Sequence, residues 1–260
     1  MTWKELMRSR KYAEAIPYLR QDLSRNPNHV AAIEAIARAL RINGEHGEAL
    51  SFYELRAALR RQDKIANIMT PGSAPWDIDI SCLQWICGDH HKAIGLMHSL
   101  AAGILDGSIQ YASDAAGGVS QGLLLYYMGV SDKKPDETSF ALRYLKNRIK
   151  RSPGQVWPCV VASYYLGDVT FAKVMEEVED VDGQARLAPF VEPATLEHGR
   201  RKRLCVALFH DGVRYRAHGD EARCLARMRE CHALVNPVNE QEWYLARYEV
   251  ERAEGQSSAR

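Results

Sequence analysis

Histidines, cysteines and carboxylates are the residues of this 260-residue chain that could do chemistry. His90 and His91 stand near Cys82 and Cys87, a mixture of imidazole and thiol of the kind that binds zinc. The spacing argues against a metal. C-x4-C followed by adjacent histidines matches no standard zinc pattern, and adjacent side chains on a helix point in different directions. Cys224, Cys231 and His232 meet the same objection, because i,i+7 is also the spacing of a core face. The six cysteines are expected to be small buried hydrophobes in a reducing compartment.

Catalysis would need a nucleophile beside a base, or paired carboxylates in a pocket. Asp77, Asp79, Asp89 and Asp114, with Ser108 and Ser120 nearby, are the material for it, but no hydrolase or transferase motif frames them. They read as helix caps and loop ligands for the backbone. Gly117-Gly118 opens a helix and could hold an anion on backbone N–H groups. Glycine pairs are also ordinary turn punctuation, and a turn or packing device is the expectation here. No glycine-rich phosphate loop followed by Lys-Ser or Lys-Thr is present. Arg200-Arg201-Lys202-Arg203 is the only dense basic run. It is expected to face solvent or to pair with the acidic run from Glu176 to Asp182. No catalytic residue, metal or cofactor is assigned.

The elements that would position these residues are helices. The chain is 46% hydrophobic and 26% charged, which argues against long disorder, and its net charge of +1 gives no general pull toward nucleic acid or an anionic membrane. Apolar residues recur at helical spacing in almost every segment, and strand-like alternation persists nowhere. Helices are expected at 2–9, 11–25, 30–42, 46–61, 77–87, 90–105, 119–128, 136–149, 156–166, 170–178, 200–217, 221–234 and 239–254. Two breaks punctuate them. Thr70 to Pro75 is a loop by composition, and 107–118 is a glycine-rich connection of unusual shape. The start lacks an apolar signal core, and no run approaches 18 apolar residues, so a cytoplasmic protein is expected.

A period underlies the pattern. Ala15 and Ala49 are 34 residues apart, as are Ile16 and Leu50, the repeat length of a helix–turn–helix unit. Residues 30–63 carry Ala37, Leu40, Gly44, Ala49 and Tyr53 in the spacing of a tetratricopeptide repeat, which the chain resembles. Gly88 to Ala93 repeats the spacing of Gly44 to Ala49, and Ala141 fits the second helix of a further unit. Gly212, Tyr215 and Gly219 stand at first-helix positions of the last. Arg10 stands where a turn glycine is usual, and Asp211 where the family has leucine.

The resemblance implies an all-α fold, a right-handed solenoid of antiparallel helix pairs. N-terminal repeats occupy 1–63, a degenerate helical region 64–182 with its insertion at 107–118, and a linker 183–199. A C-terminal pair and capping helix fill 200–254, and a frayed tail 255–260. The first helices of such pairs line a groove. By that resemblance the contact residues are Glu34, Arg38 and Arg41, then Ile78, Cys82 and Trp85, then Phe209, Val213 and Arg216.

A groove without a catalytic constellation implies a protein partner rather than a membrane or nucleic acid. In general texture the chain is similar to the helical immunity proteins of bacterial toxin systems, which implies binding and inhibition of a cognate toxin domain. A scaffold or chaperone adaptor taking a peptide segment is the alternative, and an enzyme with a polar site in 76–129 is a third.

Overall fold

The computed structural model describes residues 2–62, 76–109, 117–151, 156–180, 193–234 and 240–258, without the side chains of 193–194 and 256–258. Among these the regular structure is helical. The first unit of the chain, Met1–Tyr111, holds α1 (Trp3–Arg8), α2 (Tyr12–Arg25), α3 (Val30–Asn43), α4 (His46–Gln62), α5 (Asp77–Ile86) and α6 (His90–Asp106). The second, Ala112–Arg260, holds α7 (Val119–Ser131), α8 (Pro135–Arg151), α9 (Cys159–Leu166), α10 (Phe171–Glu179), α11 (Pro193–Ala217), α12 (Glu221–His232) and α13 (Gln241–Ser258). Within each unit every helix packs on the next in sequence, and α11 also packs on α7, α9 and α13.

One turn recurs six times among the described residues. Arg10, Gly44, Gly88, Lys133, Gly167 and Gly219 each follow the first helix of a pair with φ between 54° and 89°. After each of them the next residue's N–H reaches back five positions. The acceptors are the carbonyls of Leu6, Leu40, Gln84, Gly129, Ser163 and Tyr215, at 2.8–2.9 Å. This is the glycine-type helix stop, in which a left-handed residue lets the chain reverse while orphaned carbonyls find donors. The turn residues lie 34, 44, 45, 34 and 52 positions apart. The three longer intervals contain segments 63–75, 110–116 and 181–192, which lie outside the described residues.

The small residues around these turns let the paired helices approach. Five positions after the turn, Ala15, Ala49, Ala93 and Cys224 are fully buried. Seven positions before it, Ala37, Ser81 and Gly212 face them. Ser81 Oγ donates to the Ala93 carbonyl at 2.8 Å, and a Cβ on Gly212 would lie 3.1 Å from the Cys224 carbonyl. Ala141 is likewise fully buried. Ala15 and Ala49, 34 positions apart in the sequence, are both among these buried small residues.

At the centre of the second unit, α7 is buried from Gln121 to Gly129 on every face, as a helix apolar all round must be. Gly122 makes room for α8: a Cβ there would sit 2.6 Å from Tyr144 Cδ1 and 2.7 Å from Leu145 Cδ2. Gly117 and Gly118 both take positive φ, 73° and 102°, and the Gly118 carbonyl accepts the Tyr144 hydroxyl at 2.8 Å. The pair is a turn and packing device. The described part of the expected linker 183–199 is helix. Pro193 opens α11, where a missing N–H costs nothing, and Glu197 pairs with Arg200 and Arg201 along its first turns at 3.0 and 2.7 Å.

Candidate functional site, a basic cleft in the second unit

A cleft of about 780 Å³ opens in the second unit. Its walls are the last turns of α7 and α11, the turn at Lys133-Lys134, the first turns of α8 and α12, and Arg252 of α13. The recurrent turn brings these ends together, because Lys133 and Gly219 are two of its six left-handed residues.

Arg216 forms the floor. Its Nη1 and Nη2 donate to Glu249 Oε1 and Oε2, each at 3.0 Å. Its Nε donates to Glu221 Oε2 at 2.9 Å, and Nη1 also reaches Ser131 Oγ at 2.9 Å. Behind it the Tyr127 hydroxyl donates to Glu249 Oε1 at 2.7 Å, and Arg252 Nη2 donates to Glu249 Oε2 at 2.8 Å. Glu249 is 2% exposed. Burial alone would raise its carboxyl, but the hydrogen bonds and charge of Arg216, with Arg252 beside it, outweigh burial and hold it below the ordinary range. Burial first, then the Glu249 charge, push the Tyr127 phenol well above its ordinary value. Burial also works against the Arg216 charge, and its bonds to Glu221 and Glu249 more than reverse that.

Lys133 and Lys134 stand on the rim. Lys134 Nζ lies 3.8 Å from Asp132, while Lys133 forms no ion pair among the described residues. Tyr126, Val130, Pro135 and Ala217 supply an apolar wall.

A second polar group lies deeper in this unit. The Tyr164 hydroxyl donates to Asp211 Oδ1 at 2.6 Å, and Arg227 Nε donates to Asp211 Oδ2 at 2.7 Å. Tyr165 Oη is 2.7 Å from His210 Nδ1, and His210 Nε2 is 3.4 Å from Glu242 Oε1. These bonds join α9, α11, α12 and α13. The departure of Asp211 from the leucine of the repeat is the sequence signal of that network. His210 and Glu242 carried none, since a polar residue in a helix normally faces solvent.

The residues expected to make contacts divide by burial. Ile78, Cys82, Trp85, Phe209 and Val213 are core, with exposures of 8% or less, and Arg41 is 4% exposed and paired with Asp79 at 2.5 Å. These helices turn those positions inward. Glu34 is half-buried and accepts from Arg56 at 2.6 Å. Arg38 is exposed. Arg216 lines the cleft, and no motif marks its neighbours there, Lys133, Lys134 and Arg252.

The other candidates have structural employment. His90 stacks on Trp85 with ring centroids 4.0 Å apart. Cys87 is exposed, contrary to expectation, because it follows the end of α5 at the turn; the other five cysteines are buried. Cys205 and Cys231 are free thiols with Sγ atoms 3.4 Å apart. Asp89 caps α6 by accepting from Lys92 N–H. Among the described residues no three His, Cys, Asp or Glu side chains converge to hold a metal. Nor is any described helix long and apolar enough to cross a membrane. The basic run pairs within the chain: Arg200 with Glu179 at 2.9 Å, Lys202 with Glu240 at 2.6 Å, and Arg203 with the Glu177 carbonyl at 2.7 Å. Asp114 lies outside the described residues. Compared with known proteins, the chain matches no protein-family model and no curated protein.

Proposed function

We propose that this chain is a non-catalytic helical-repeat protein that binds another protein. In each unit the helix pairs stack as a right-handed solenoid of antiparallel helices, in the manner of degenerate tetratricopeptide repeats, and α13 caps the second. The observation that carries the reading is the sixfold recurrence of one turn with small residues packed around it. Stacked pairs of this kind bury a continuous core and present extended surfaces, which such proteins use for recognition.

The cleft supports recognition rather than proton transfer. Its buried carboxylate is fixed by two arginines and a tyrosine, and a base held below the ordinary carboxylate range is a poor proton acceptor at neutral pH. Exposed cations on the rim suit a complementary acidic face. We take the partner to be a folded toxin domain, with this chain as its cytoplasmic immunity protein. The resemblance in texture and the small all-helical scaffold support that choice.

Co-expression with the toxin encoded beside its gene tests it. Protection of growth, and a stoichiometric complex with the toxin domain, are expected. Binding of short peptides from unrelated proteins would instead make the chain an adaptor.

A further inference from the structure

The two carboxylates on Arg216 differ in kind. Glu249 is buried and held by three donors besides the backbone of its helix, Arg216, Arg252 and Tyr127. The Glu221 side chain is 62% exposed and holds only the outer edge of the guanidinium, from the first turn of α12. Glu249 fixes the arginine in place; Glu221 occupies the edge that faces the cleft.

Lys133 and Lys134 sit on the rim, immediately before the N-terminus of α8, whose dipole end is positive. Cations there are unfavourable for the helix, and among the described residues Asp132, at 3.8 Å from Lys134, and the first-turn acids Asp136 and Glu137 offset them. Lys133 also takes the left-handed φ of 54° that glycine fills at four of the six equivalent turns. A lysine here gains nothing for the turn and adds a cation to the cleft.

We infer that the cleft takes an oxyanion, a carboxylate or phosphate, which replaces Glu221 on the outer edge of Arg216 while Lys133 and Lys134 close over it. The Nε and Nη2 donors form the planar fork that matches two oxygens of such a group. At about 780 Å³ the space exceeds the anion alone. That leaves room beside the anion for an apolar body against Tyr126, Val130 and Pro135. An acidic side chain of a protein partner and a free small organic anion both carry this chemistry. The inference rests on the reading above only for the first source.

The test titrates the full-length protein at low ionic strength with three probes: a hexaglutamate peptide, glutarate and inorganic phosphate. Two variants keep the buried ion pair intact and so the fold, E221Q and K133Q/K134Q. Saturable binding is expected. It should tighten about threefold or more in E221Q, where the resident competitor loses its charge, and weaken about tenfold in K133Q/K134Q. Preference for the peptide assigns the site to a partner's acidic side chains. Preference for glutarate or phosphate assigns it to a free anion. No saturable binding to wild type or E221Q, or unchanged or weaker binding in E221Q, overturns the inference. These probes contain no partner protein, so their failure leaves the protein-binding reading standing, and absence of a partner leaves anion binding measurable.

Discussion

Arg216 and Glu249 face each other through two parallel N–H···O bonds of 3.0 Å, one from each terminal nitrogen to each carboxylate oxygen. The pair joins α11 to α13 at the floor of the cleft, and Tyr127 of α7 adds a third helix to it. Breaking a buried pair by removing one partner strands the other charge, at a cost of about 3–5 kcal/mol. Glu249→Ala should destabilise the second unit by that order, and Tyr127→Phe, which removes one bond to a charged acceptor, by about 2 kcal/mol. Urea unfolding of the two variants measures both. Equal and small effects would mean that the cluster is peripheral to stability.

The recurrent turn makes a prediction of opposite sign at different members. A left-handed conformation costs a non-glycine residue roughly 1–2 kcal/mol, and glycine's greater freedom in the unfolded chain returns about 0.5–1 kcal/mol of that. Arg10→Gly and Lys133→Gly should each stabilise by about 0.5–1 kcal/mol, and Gly44→Ala should destabilise by about 1 kcal/mol. Lys133→Gly should at the same time weaken anion binding. Thermal unfolding of the three variants checks the order.

Close helix approach is the third test. Alanine at Gly122 gains helix propensity of about 1 kcal/mol, but its Cβ would meet Tyr144 and Leu145 below 3 Å. Overpacking of this kind costs typically about 1–3 kcal/mol. Gly122→Ala should therefore lose stability on balance, whereas Gly95→Ala, with nothing within 4 Å of the new methyl, should gain.

Alkali should weaken the second unit. Burial pushes the phenols of Tyr127 and Tyr165 and the thiol of Cys205 well above their ordinary values, and the Cys224 thiol up to about 12. These groups stay protonated in the folded chain while the unfolded chain ionises. Their contribution is thus complete below pH 9 and is lost as pH rises through the ordinary thiol and then phenol values. Glu249 works in the opposite range. Held below its ordinary value, it supports the fold above about pH 4.5 and loses that support as pH falls further. Unfolding free energy should form a plateau between these limits, measured by denaturant titration at stepped pH.

The helices and the recurrent turn were legible because they are local. Helical spacing, a turn residue and a small residue five positions on are all short-range signals, and Ala15 and Ala49, 34 positions apart, are both fully buried. The break into helices at 193 was not, since nothing nearby in sequence marks Pro193 as a helix start rather than loop. The burial of the expected contact residues was not legible. Family spacing identifies the turn of a helix but not its rotation, so Phe209 and Val213 proved to be core while Arg216, on the same helix, reached the cleft. Lys133 and Arg252 are 119 positions apart in the chain, and only the packing of α7, α11 and α13 brings them to one opening. Arg10 showed its oddity in the sequence, since glycine was the expected residue. Lys133 takes the same conformation, φ 54°, and no neighbouring residue marked it.

Affinity capture from native lysate at moderate salt, followed by titration of the recovered domain in purified form, tests the central claim most directly. The account predicts one folded domain bound near one to one, with affinity lowered about tenfold by K133Q/K134Q at unchanged stability. If no domain binds stoichiometrically, and the chain instead turns over a small substrate with a rate that E221Q or K133Q/K134Q abolishes, the cleft is an enzyme's site and the account is wrong.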